Sequence, residues 1–393
     1  MRIALLGDFD TYLTRGLERP PELLPYRLSP GLNLLRGFRE LGVADIHILV
    51  TTKEVPKPTV EQGPFGTVHR LPQPPFSGAG SFQLWRRRLI LQQLRQIRPD
   101  IVHGHGTEAE YAFTAISAPY PNVITLHGLM HRVQQAAPPP LLSLNHVARW
   151  IEKRVVRQAT DVICLTREVE EFLAERGSRA RRHRIPNAVA PCFFDVRPGP
   201  RDRPGFAVLF VGTVYRLKGV LHLVEAMAAA RQKLGAPLTL RIVGSTGGPA
   251  DAYEELLRRR AAELGVAGDI EWLGVLGERD VAAQLARSDA LALPSFTESF
   301  GMCVAEAMAA GVPAVGSRAG GIPDLIEDGK TGLLVTPGRS DELAAALVRA
   351  LTDTALRARM VDAARAKALA CYSPRAVAGQ TRRVYEEICR RPE

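Results

Sequence analysis

Short apolar runs alternate with longer amphipathic runs along almost the whole chain, and this alternation limits the fold more than any other feature. Strands that alternate with helix-length segments favour βαβ units, whose parallel strands form a sheet with helices on both faces. The helical runs include Leu32–Leu41, Phe82–Ile97, Val220–Leu234 and Ala250–Leu264. The predicted strands are Ile3–Leu6, Ile46–Val50, Ile101–His103, Asn122–Leu126, Val162–Leu165, Ala207–Val211, Leu238–Val243, Ile270–Leu273, Ala290–Leu293, Ala314–Val315 and Gly332–Val335.

The pattern is interrupted at residues 190–205, where APCFFDVRPGPRDRPG is rich in proline and charge. Such a segment does not continue a helix or a central strand. A chain of 393 residues is also long enough for two domains. We therefore predict an α/β protein with a doubly wound, Rossmann-like domain at 1–190, a linker at 191–205 and a second such domain at 206–372. Open α/β sheets bind ligands beyond the carboxyl ends of their strands, so the predicted site is a cleft between those ends.

Charge and cysteine content narrow the class of protein. Up to residue 195 the chain has 25 Lys and Arg against 18 Asp and Glu, so most of the net charge of +10 lies in the first half. A basic surface attracts phosphates of any kind, although a solvated face is the simpler interpretation. The five cysteines are scattered without CxxC spacing, which is typical of reduced thiols in a cytoplasmic protein. The apolar run within MRIALLGDFD is too short for a signal or membrane segment.

Two glutamates lie on either side of a predicted helix start in the second domain. Glu298 is in the loop after a strand, and Glu306 is in the helix predicted at Gly301–Ala310. A glycine at a helix N-terminus lets backbone N–H groups approach a phosphate, and carboxylates beside it can accept hydrogen bonds from hydroxyls. Glu306 stands among small apolar residues, and a carboxylate in such a place needs a partner. A diphosphate between two polyhydroxyl groups, as in a nucleotide sugar, fits this pattern.

A second loop of the same domain adds cations. Gly212 ends the first predicted strand of the domain, and Arg216 and Lys218 follow before the next helix. A cation in a strand-to-helix loop, close to helix N–H groups, is suited to a phosphate. Taken alone this pattern is weak, because surface loops often carry solvated cations.

The residues around the two glutamates resemble the family 4 glycosyltransferases of the GT-B fold. The stretch ESFGMCVAEAMAAGVPAV contains two glutamates separated by seven residues, which is the motif of that family, with LPS before it and GGIPDLIEDGKTGLLV after it. The segments RPDIVHGH at 98–105, TLHG at 125–128, ATDVICLT at 159–166, IPN at 185–187 and residues 208–219 resemble the family in the same order. The resemblance implies two Rossmann-like domains facing across a cleft, with the last helix, at 373–393, packed back on the first domain.

The resemblance also implies the activity and the site. It implies a retaining glycosyltransferase that moves a sugar from a nucleoside diphosphate sugar to an acceptor hydroxyl, with no bound metal and no cofactor. Of the implied catalytic residues His127, Arg216, Lys218 and Glu298, His127 would contact the donor sugar from the first domain. Lys218 would neutralise the leaving diphosphate, Glu298 would orient sugar hydroxyls, and Glu306 would bind the ribose. The implied donor-binding residues are Gly31, Gly212, Thr213, Gly244, Leu273, Gly274, Val275, Ser299, Phe300, Gly301 and Glu306.

The chain departs from the family pattern at Thr213. Members of the family often carry arginine directly after the glycine of this strand, and Thr213 cannot supply that charge. We expect Arg216 to serve the diphosphate in its place, and the alternative is that Lys218 acts with the helix N-terminus alone. A smaller departure, IPNAV at 185–189, concerns the loop between the domains.

The expected mechanism follows from how charge develops during the reaction. Cleavage of the anomeric C–O bond builds positive charge on the sugar and negative charge on the phosphate, which prearranged cations and N–H groups stabilise. A double displacement would need a carboxylate nucleophile close to the anomeric carbon. Glu298 is the obvious candidate, but the resemblance gives it the role of orienting hydroxyls. We therefore expect same-face attack, with the leaving phosphate helping to deprotonate the acceptor.

Two patterns offer metal-binding alternatives. The histidines of HGH at 103–105 alternate on one strand, and His127 and His131 are four residues apart, a spacing that can bind zinc. No Cys, Asp or Glu completes an evident ligand set around them. The DFD sequence at 8–10 has the form of an Asp-x-Asp metal motif, but acids in a loop are the simpler interpretation.

The implied partners are a nucleotide-sugar donor and an acceptor that the sequence does not specify. Nucleic acid is not expected, and the oligomeric state stays open. The run SFQLWRRRLILQQLRQI at 81–97 mixes apolar residues with three consecutive arginines. Such a run suits either a core-packed amphipathic helix, which we favour, or peripheral contact with an anionic membrane at its inner face.

Other functions stay open at this point. A sugar-nucleotide epimerase or a phosphorylase could use the same architecture, although a phosphorylase needs a lysine for a pyridoxal cofactor and lysines are scarce in the second domain. A non-catalytic protein could instead bind nucleic acid, lipid or another anionic ligand through the basic first domain. That alternative predicts that Glu306→Ala leaves function intact and that affinity falls steeply with salt.

Overall fold

The computed structural model describes residues 1–9, 29–73, 83–107, 110–129, 145–197, 204–245 and 252–391. These residues form two compact units. The first unit contains residues 1–9, the described parts of Pro30–Asn187 and the C-terminal segment that begins at Pro374. The second unit contains the described parts of Ala188–Ser373. Each unit is built around one sheet.

The strands are numbered in chain order. They are β1 (Ile3–Leu6), β2 (Ile46–Thr52), β3 (Thr59–Gly63), β4 (Gly66–Pro72), β5 (Ile101–His105), β6 (Asn122–Leu126), β7 (Asp161–Cys164), β8 (Arg181–Arg184), β9 (Phe206–Val211), β10 (Leu238–Val243), β11 (Ile270–Gly274), β12 (Ala290–Leu293), β13 (Ala314–Ser317) and β14 (Leu333–Val335).

The helices are numbered in the same way. They are α1 (Ser29–Glu40), α2 (Leu84–Ile97), α3 (Glu110–Ala115), α4 (Asn145–Gln158), α5 (Arg167–Glu175), α6 (Pro191–Phe194), α7 (Val220–Leu234), α8 (Ala252–Glu263), α9 (Glu278–Ala286), α10 (Met302–Ala310), α11 (Ile322–Leu325), α12 (Ser340–Thr352), α13 (Thr354–Tyr372) and α14 (Pro374–Cys389).

The first unit contains an eight-stranded sheet in the order β3-β4-β2-β1-β5-β6-β7-β8. Its pairings are parallel except for the antiparallel hairpin of β3 and β4. All four residues of β1 are buried, as expected for a central strand that helices cover on both faces. The predicted parallel sheet is confirmed, and the hairpin is a correction to it.

The strands at the two edges of this sheet were not predicted. The edge strand β3, with the sequence TVEQG, contains no buried residue. At the other edge, β8 has the sequence RRHR, and three of its four residues are exposed. Charged side chains on an edge strand oppose pairing with another chain. The arginines of β8 belong to the basic first half that was interpreted as a solvated face, and they also protect a sheet edge.

The second unit contains a six-stranded parallel sheet in the order β11-β10-β9-β12-β13-β14. Each strand predicted for this half of the chain is present, with ends that differ by at most two residues. The central strand β12 is completely buried, and β9 is buried except at its first residue. The two sheets therefore confirm the predicted α/β class with two Rossmann-like domains.

The second unit begins earlier along the chain than predicted. The segment expected as a linker, 191–205, opens with helix α6, and Phe193 of that helix is fully buried. Proline is tolerated at the first position of a helix, because the N–H that it lacks would have no helical partner there. Proline and charge in this segment thus concealed a short packed helix, while residues 198–203 lie outside the described residues.

Helix α14 belongs to the first unit. Its Tyr385 is fully buried, and the tyrosine hydroxyl lies 2.5 Å from Nδ1 of His103 in β5. The Tyr385 ring is 6.0 Å from the ring of Phe38 in α1. Across the described ranges, no helix combines the length and apolar character that crossing a membrane requires.

Candidate active site

The loop between β12 and α10 carries the first glutamate of the pair. The strand ends at Leu293, the loop leads through Glu298, and Gly301 caps the start of α10 with a left-handed backbone. The side chain of Glu298 is 14% exposed, so its carboxylate lies mostly out of solvent. Lys218 meets it there, because Nζ of the lysine lies 2.5 Å from Oε2 of the glutamate.

The contact with Glu298 favours the charged form of Lys218. Burial alone would lower the pKa of Lys218, but the Glu298 carboxylate outweighs burial and raises the pKa above its ordinary value. A partly buried ammonium group close to the start of a helix attracts an anion. The structure therefore brings together the lysine and the glutamate that the sequence analysis placed in two separate loops.

Backbone contacts hold the Glu298 loop in place from two sides. The amide of Phe296 donates to the carbonyl of Leu217, and the amide of Gly321 donates to the carbonyl of Glu298, both at 2.8 Å. At Gly320, where φ is +52°, a Cβ would lie 2.0 Å from the Glu298 carbonyl oxygen. At Gly219, where φ is +68°, a Cβ would lie 2.0 Å from the Pro294 carbonyl oxygen. These glycines allow the close approach that fixes the carboxylate beside Lys218.

Glu306 is fully buried in α10. The thiol of Cys303, one turn earlier, is affected by the carboxylates of both glutamates. Burial raises the pKa of that thiol well above its usual range, and the carboxylates of Glu298 and Glu306 raise it further. Both acids therefore lie close to the same buried side chain, Glu298 from the loop before α10 and Glu306 from the helix itself.

Glycines join the carboxyl ends of three neighbouring strands. The amide of Gly212, after β9, donates to the carbonyl of Val243, and the amide of Gly244, after β10, donates to the carbonyl of Gly274 in β11. Thr213 follows Gly212 and is exposed. The predicted donor-binding glycines of this unit thus share one edge of the sheet.

The remaining predicted residues of this unit differ in exposure. Val275, which follows β11, is 62% exposed although it is apolar, while Leu273 is half-buried. In the Glu298 loop, Ser299 is exposed, and Phe300 is buried with its ring 6.1 Å from that of Tyr372. An exposed valine at the carboxyl edge is available to pack against a ligand.

Arg216 shares a short 3₁₀ turn with Lys218. Its guanidinium group lies 5.5 Å from the ring centre of Tyr253 in α8. The tyrosine hydroxyl in turn accepts a hydrogen bond from the amide of Leu221, at 3.3 Å. The role of Arg216 at a diphosphate stays a prediction, and the structure gives this side chain an aromatic neighbour.

His127 lies in the first unit, within a cluster of aromatic rings at the carboxyl ends of β1, β5 and β6. Its Nε2 is 3.0 Å from Nδ1 of His105, and the two rings are stacked with centres 5.3 Å apart. The edge of the Phe9 ring faces His105. A Cβ at Gly31 would lie 2.7 Å from that Phe9 ring, which places Gly31 beside the same cluster. Burial lowers the pKa of His127 to about 4, so its imidazole is neutral at pH 7.

The described residues do not support the zinc alternative. Within the described ranges, no group of three or more His, Cys, Asp and Glu side chains has a metal-binding arrangement. His103 instead bonds to Tyr385, and its Nε2 lies 2.7 Å from the hydroxyl of Thr125. Both His131 and the second acid of DFD, Asp10, lie outside the described residues.

Sequence reasoning missed one local contact in each unit. The histidines His103 and His105 were weighed as zinc ligands rather than as neighbours of His127. Gly320 and Gly321 were noted as part of the family resemblance, but their contact with Glu298 was not foreseen. The pair of glycines directly before a short helix was the available signal, because such a turn lets another backbone segment approach closely.

Two family models match this chain over adjoining ranges. The model described as Glycosyltransferase Family 4 matches residues 32–191, and the model described as Glycosyl transferases group 1 matches residues 196–367. The MMP alpha-(1->4)-mannosyltransferase of Mycolicibacterium hassiacum is 32% identical over 308 residues, which cover 74% of this chain and 71% of the relative. The chain belongs to the family 4 glycosyltransferases. The predicted family and the prediction of an enzyme are therefore confirmed, and this glycosyltransferase uses a sugar donor.

Solved structures confirm the GT-B fold of this glycosyltransferase. Sucrose-phosphate synthase from Thermosynechococcus elongatus superposes with a TM-score of 0.77 at 21% identity, covering 99% of each chain. HepE from Anabaena, solved in complex with UDP-glucose, superposes with a TM-score of 0.69 at 20% identity, covering 98% of this chain and 100% of HepE. At these identities the likeness is one of fold.

Proposed function

We propose that this glycosyltransferase takes its sugar from a nucleoside diphosphate sugar and transfers it, with retention and without a catalytic metal, to an acceptor hydroxyl. The observation that carries the proposal is the 2.5 Å ion pair between Lys218 and Glu298 at the opening of α10. It combines a cation for the diphosphate with a carboxylate for sugar hydroxyls at one point. The UDP-glucose complex of HepE, a protein of the same fold, supports this class of donor.

Lys218 would act on the leaving group. Its ammonium group contacts Glu298, and a diphosphate would give it a further, anionic partner. Negative charge grows on that diphosphate as the anomeric bond breaks, so the interaction strengthens toward the transition state. Backbone amides near Phe300 and Gly301, together with Arg216, would share this charge.

The two glutamates would bind the two sugar rings of the donor. Glu298 would orient hydroxyls of the transferred sugar, and the buried Glu306 would accept hydrogen bonds from the ribose. Carboxylates accept such bonds strongly, because an ionised acceptor forms shorter and stronger hydrogen bonds. The residues proposed to line the rest of the donor site are Gly212, Thr213, Gly244, Leu273, Gly274, Val275 and Ser299.

Retention would follow from attack on the face that the leaving group vacates. Glu298 is hydrogen-bonded to Lys218, which supports a role in orientation rather than as a nucleophile. The leaving phosphate would then accept the proton of the acceptor hydroxyl. From the first unit, His127 would hydrogen-bond the transferred sugar, with Gly31 beside it.

The donor is tested by hydrolysis of a panel of UDP-glucose, GDP-mannose, ADP-glucose and TDP-glucose, with water as the acceptor of the sugar and release of the nucleoside diphosphate as the readout. We expect one donor to be turned over, and Glu298→Gln to lower its rate by about 10²-fold. The matched control is Glu327→Gln, which alters an exposed glutamate that pairs with Lys330 in the same unit. An equal effect of both variants, or no turnover of any donor, would contradict the proposal.

Retention and metal independence have their own tests. The anomeric configuration of the product, measured by proton NMR, should match that of the donor, and chelation with EDTA should leave the rate unchanged. Mass spectrometry of the wild-type enzyme during turnover should find no glycosyl adduct on Glu298. An inverted product would refute retention, a trapped adduct would refute same-face attack, and loss of activity with EDTA would refute metal independence.

We also propose peripheral contact between the first unit and an anionic membrane. Leu84 and Trp85 of α2 are 60% and 52% exposed, and Trp150 of α4 is 46% exposed. The guanidinium of Arg87 in α2 lies 3.7 Å from the ring centre of Phe113, and Trp150 meets the same ring edge-on. Exposed tryptophans among arginines suit the interface of an anionic bilayer. Helix α2 also buries Ile90, Leu94 and Ile97, so the predicted core packing is present as well.

Co-sedimentation with vesicles of phosphatidylglycerol tests this contact. Binding should occur at low salt and weaken at high salt, and the double variant Trp85→Ser and Trp150→Ser should weaken it further. Val60→Ser, which alters an exposed apolar residue on edge strand β3, is the control. Vesicle binding that is absent at low salt would remove the proposal.

A further inference from the structure

The first unit contains two histidine pairs of nearly the same geometry. Nδ1 of His105 lies 3.0 Å from Nε2 of His127, and Nδ1 of His47 lies 2.9 Å from Nε2 of His69. Their ring centres are 5.3 Å and 5.2 Å apart. In a pair of neutral imidazoles one nitrogen must donate and the other must accept. The question for each pair is therefore which ring carries the proton of the shared bond.

The second pair answers this question through a neighbouring carboxylate. Nε2 of His47 lies 3.2 Å from Oδ1 of Asp45, an acceptor, so that nitrogen donates to the carboxylate. In the singly protonated form of His47, Nδ1 then has a lone pair, and His69 donates to it from Nε2. Nδ1 of His69 then carries no proton and has a lone pair. Within the described residues this buried atom makes no hydrogen bond. The buried nitrogen without a bond is thus an acceptor rather than an N–H group.

The same rule decides the first pair. Nε2 of His105 is buried and makes no hydrogen bond to any described residue. A buried N–H group without a partner is rarer than a buried acceptor without one. Nε2 of His105 is therefore the bare nitrogen, and Nδ1 of His105 donates to Nε2 of His127. We propose that His105 is a positioning residue, which fixes the single proton of His127 on Nδ1.

The consequence for catalysis rests on the proposed function of His127. With its proton on Nδ1, the neutral His127 offers an N–H donor, on the ring nitrogen that His105 does not use, to an oxygen of the transferred sugar. The rings that surround His105 hold it in place, since the tilted ring of His103 lies with its centre 4.0 Å away and Phe9 meets it edge-on. Without His105 the His127 ring could take either tautomer and rotate, and fewer molecules would present the donor.

The tautomer can be measured directly by NMR of wild-type enzyme labelled with ¹⁵N-histidine. At pH 7.5 the ring nitrogens of His127 should appear as a protonated Nδ1 and an unprotonated Nε2, with signals assigned from the His105→Asn and His127→Ala variants. In His105→Leu the His127 signals should shift toward the Nε2-protonated form. A wild-type His127 that carries its proton on Nε2 would overturn the inference, whatever the activity of the enzyme.

Steady-state kinetics provide a second test of the inference. The donor is UDP-glucose or the member of the panel that the enzyme turns over. We expect His105→Leu to lower kcat about tenfold, with the donor KM nearly unchanged, because one hydrogen bond is worth about 1 kcal/mol. Asparagine has an N–H close to the position of Nδ1, so His105→Asn should restore most of the rate. His69→Asn, in the second pair, should leave the rate unchanged.

The outcomes separate this inference from the proposed function. A low rate in His127→Ala together with wild-type rate in His105→Leu would overturn the positioning role alone. Wild-type rate in His127→Ala would overturn the proposed role of His127, and this inference with it. A low rate in His105→Leu that His105→Asn fails to restore would indicate loss of packing rather than loss of the hydrogen bond, and would also count against the inference.

Discussion

The polar cluster of the second unit is charged, whereas that of the first unit is neutral. Lys218 contacts Glu298, and the pKa of Lys218 is raised because the glutamate outweighs the effect of burial. Burial lowers the pKa of His103 to about 3 and that of His127 to about 4, so both rings are uncharged at pH 7. Both clusters lie at the carboxyl ends of parallel strands, yet one presents charge and the other presents oriented hydrogen-bonding groups.

The two clusters also differ in what holds them. Backbone contacts through glycines position Glu298, and stacked rings position His127. A fixed charge is suited to a diphosphate, whose own charge grows during reaction, and a neutral donor is suited to a sugar hydroxyl. The comparison therefore predicts that substitutions that remove a charge lower activity most in the second unit. In the first unit, activity should instead depend on which ring nitrogen of a histidine carries the proton.

The largest expected effect comes from removing the cation of the charged cluster. Lys218→Met should lower the rate of donor turnover by about 10²–10³-fold, since it removes charge stabilisation of the leaving group. Lys330→Met is the matched control, because Lys330 pairs with Glu327 at 2.7 Å but is 68% exposed. Steady-state kinetics measure the rates of both variants. Equal losses of rate in the two variants would contradict a specific role of Lys218.

A smaller effect is expected from the glycine support of Glu298. Gly320 and Gly329 both have positive φ, but a Cβ at Gly329 meets nothing within 4 Å. Gly329→Ala should therefore cost about 1 kcal/mol of unfolding free energy, from backbone strain alone. Gly320→Ala should cost about 2–4 kcal/mol, because the methyl group must also displace the Glu298 carbonyl. Urea titrations measure both costs, and equal values would show that the contact at Gly320 relaxes freely.

The neutral cluster predicts a dependence of stability on pH. The pKa of His103 is about 3 in the folded protein, below its ordinary value of 6.5, so the unfolded chain binds more protons between those values. The free energy of unfolding should therefore fall as pH falls below 6.5, and His103 should contribute a slope of up to about 1.4 kcal/mol per pH unit. In His103→Gln the slope should be shallower by up to about 1.4 kcal/mol per pH unit, which corresponds to one proton fewer taken up on unfolding. Identical slopes in the two proteins would contradict a buried neutral histidine.

Much of this fold could be predicted from the sequence, because buried parallel strands are continuous apolar runs. The hairpin strands and the arginine-rich strand escaped prediction, since a polar edge strand follows no apolar pattern and depends on its neighbours in the sheet. The local structure of the candidate site was predictable where residues adjoin in sequence, as at the loop of Glu298 and the helix start at Gly301. The pairing of Lys218 with Glu298, and that of His105 with His127, depend on which loops and strands adjoin in space, and no local pattern encodes that.

Calorimetric titration with nucleoside diphosphates tests the central claim most directly. UDP, GDP, ADP and TDP would be titrated separately into the wild-type enzyme, Lys218→Met and Lys330→Met. The account predicts that one of the four binds the wild-type enzyme and Lys330→Met with equal affinity, and binds Lys218→Met about tenfold more weakly or worse, since a hydrogen bond to a charged group is worth about 1.5–3 kcal/mol. Equal binding to Lys218→Met and the wild-type enzyme, or no binding of any of the four, would contradict it.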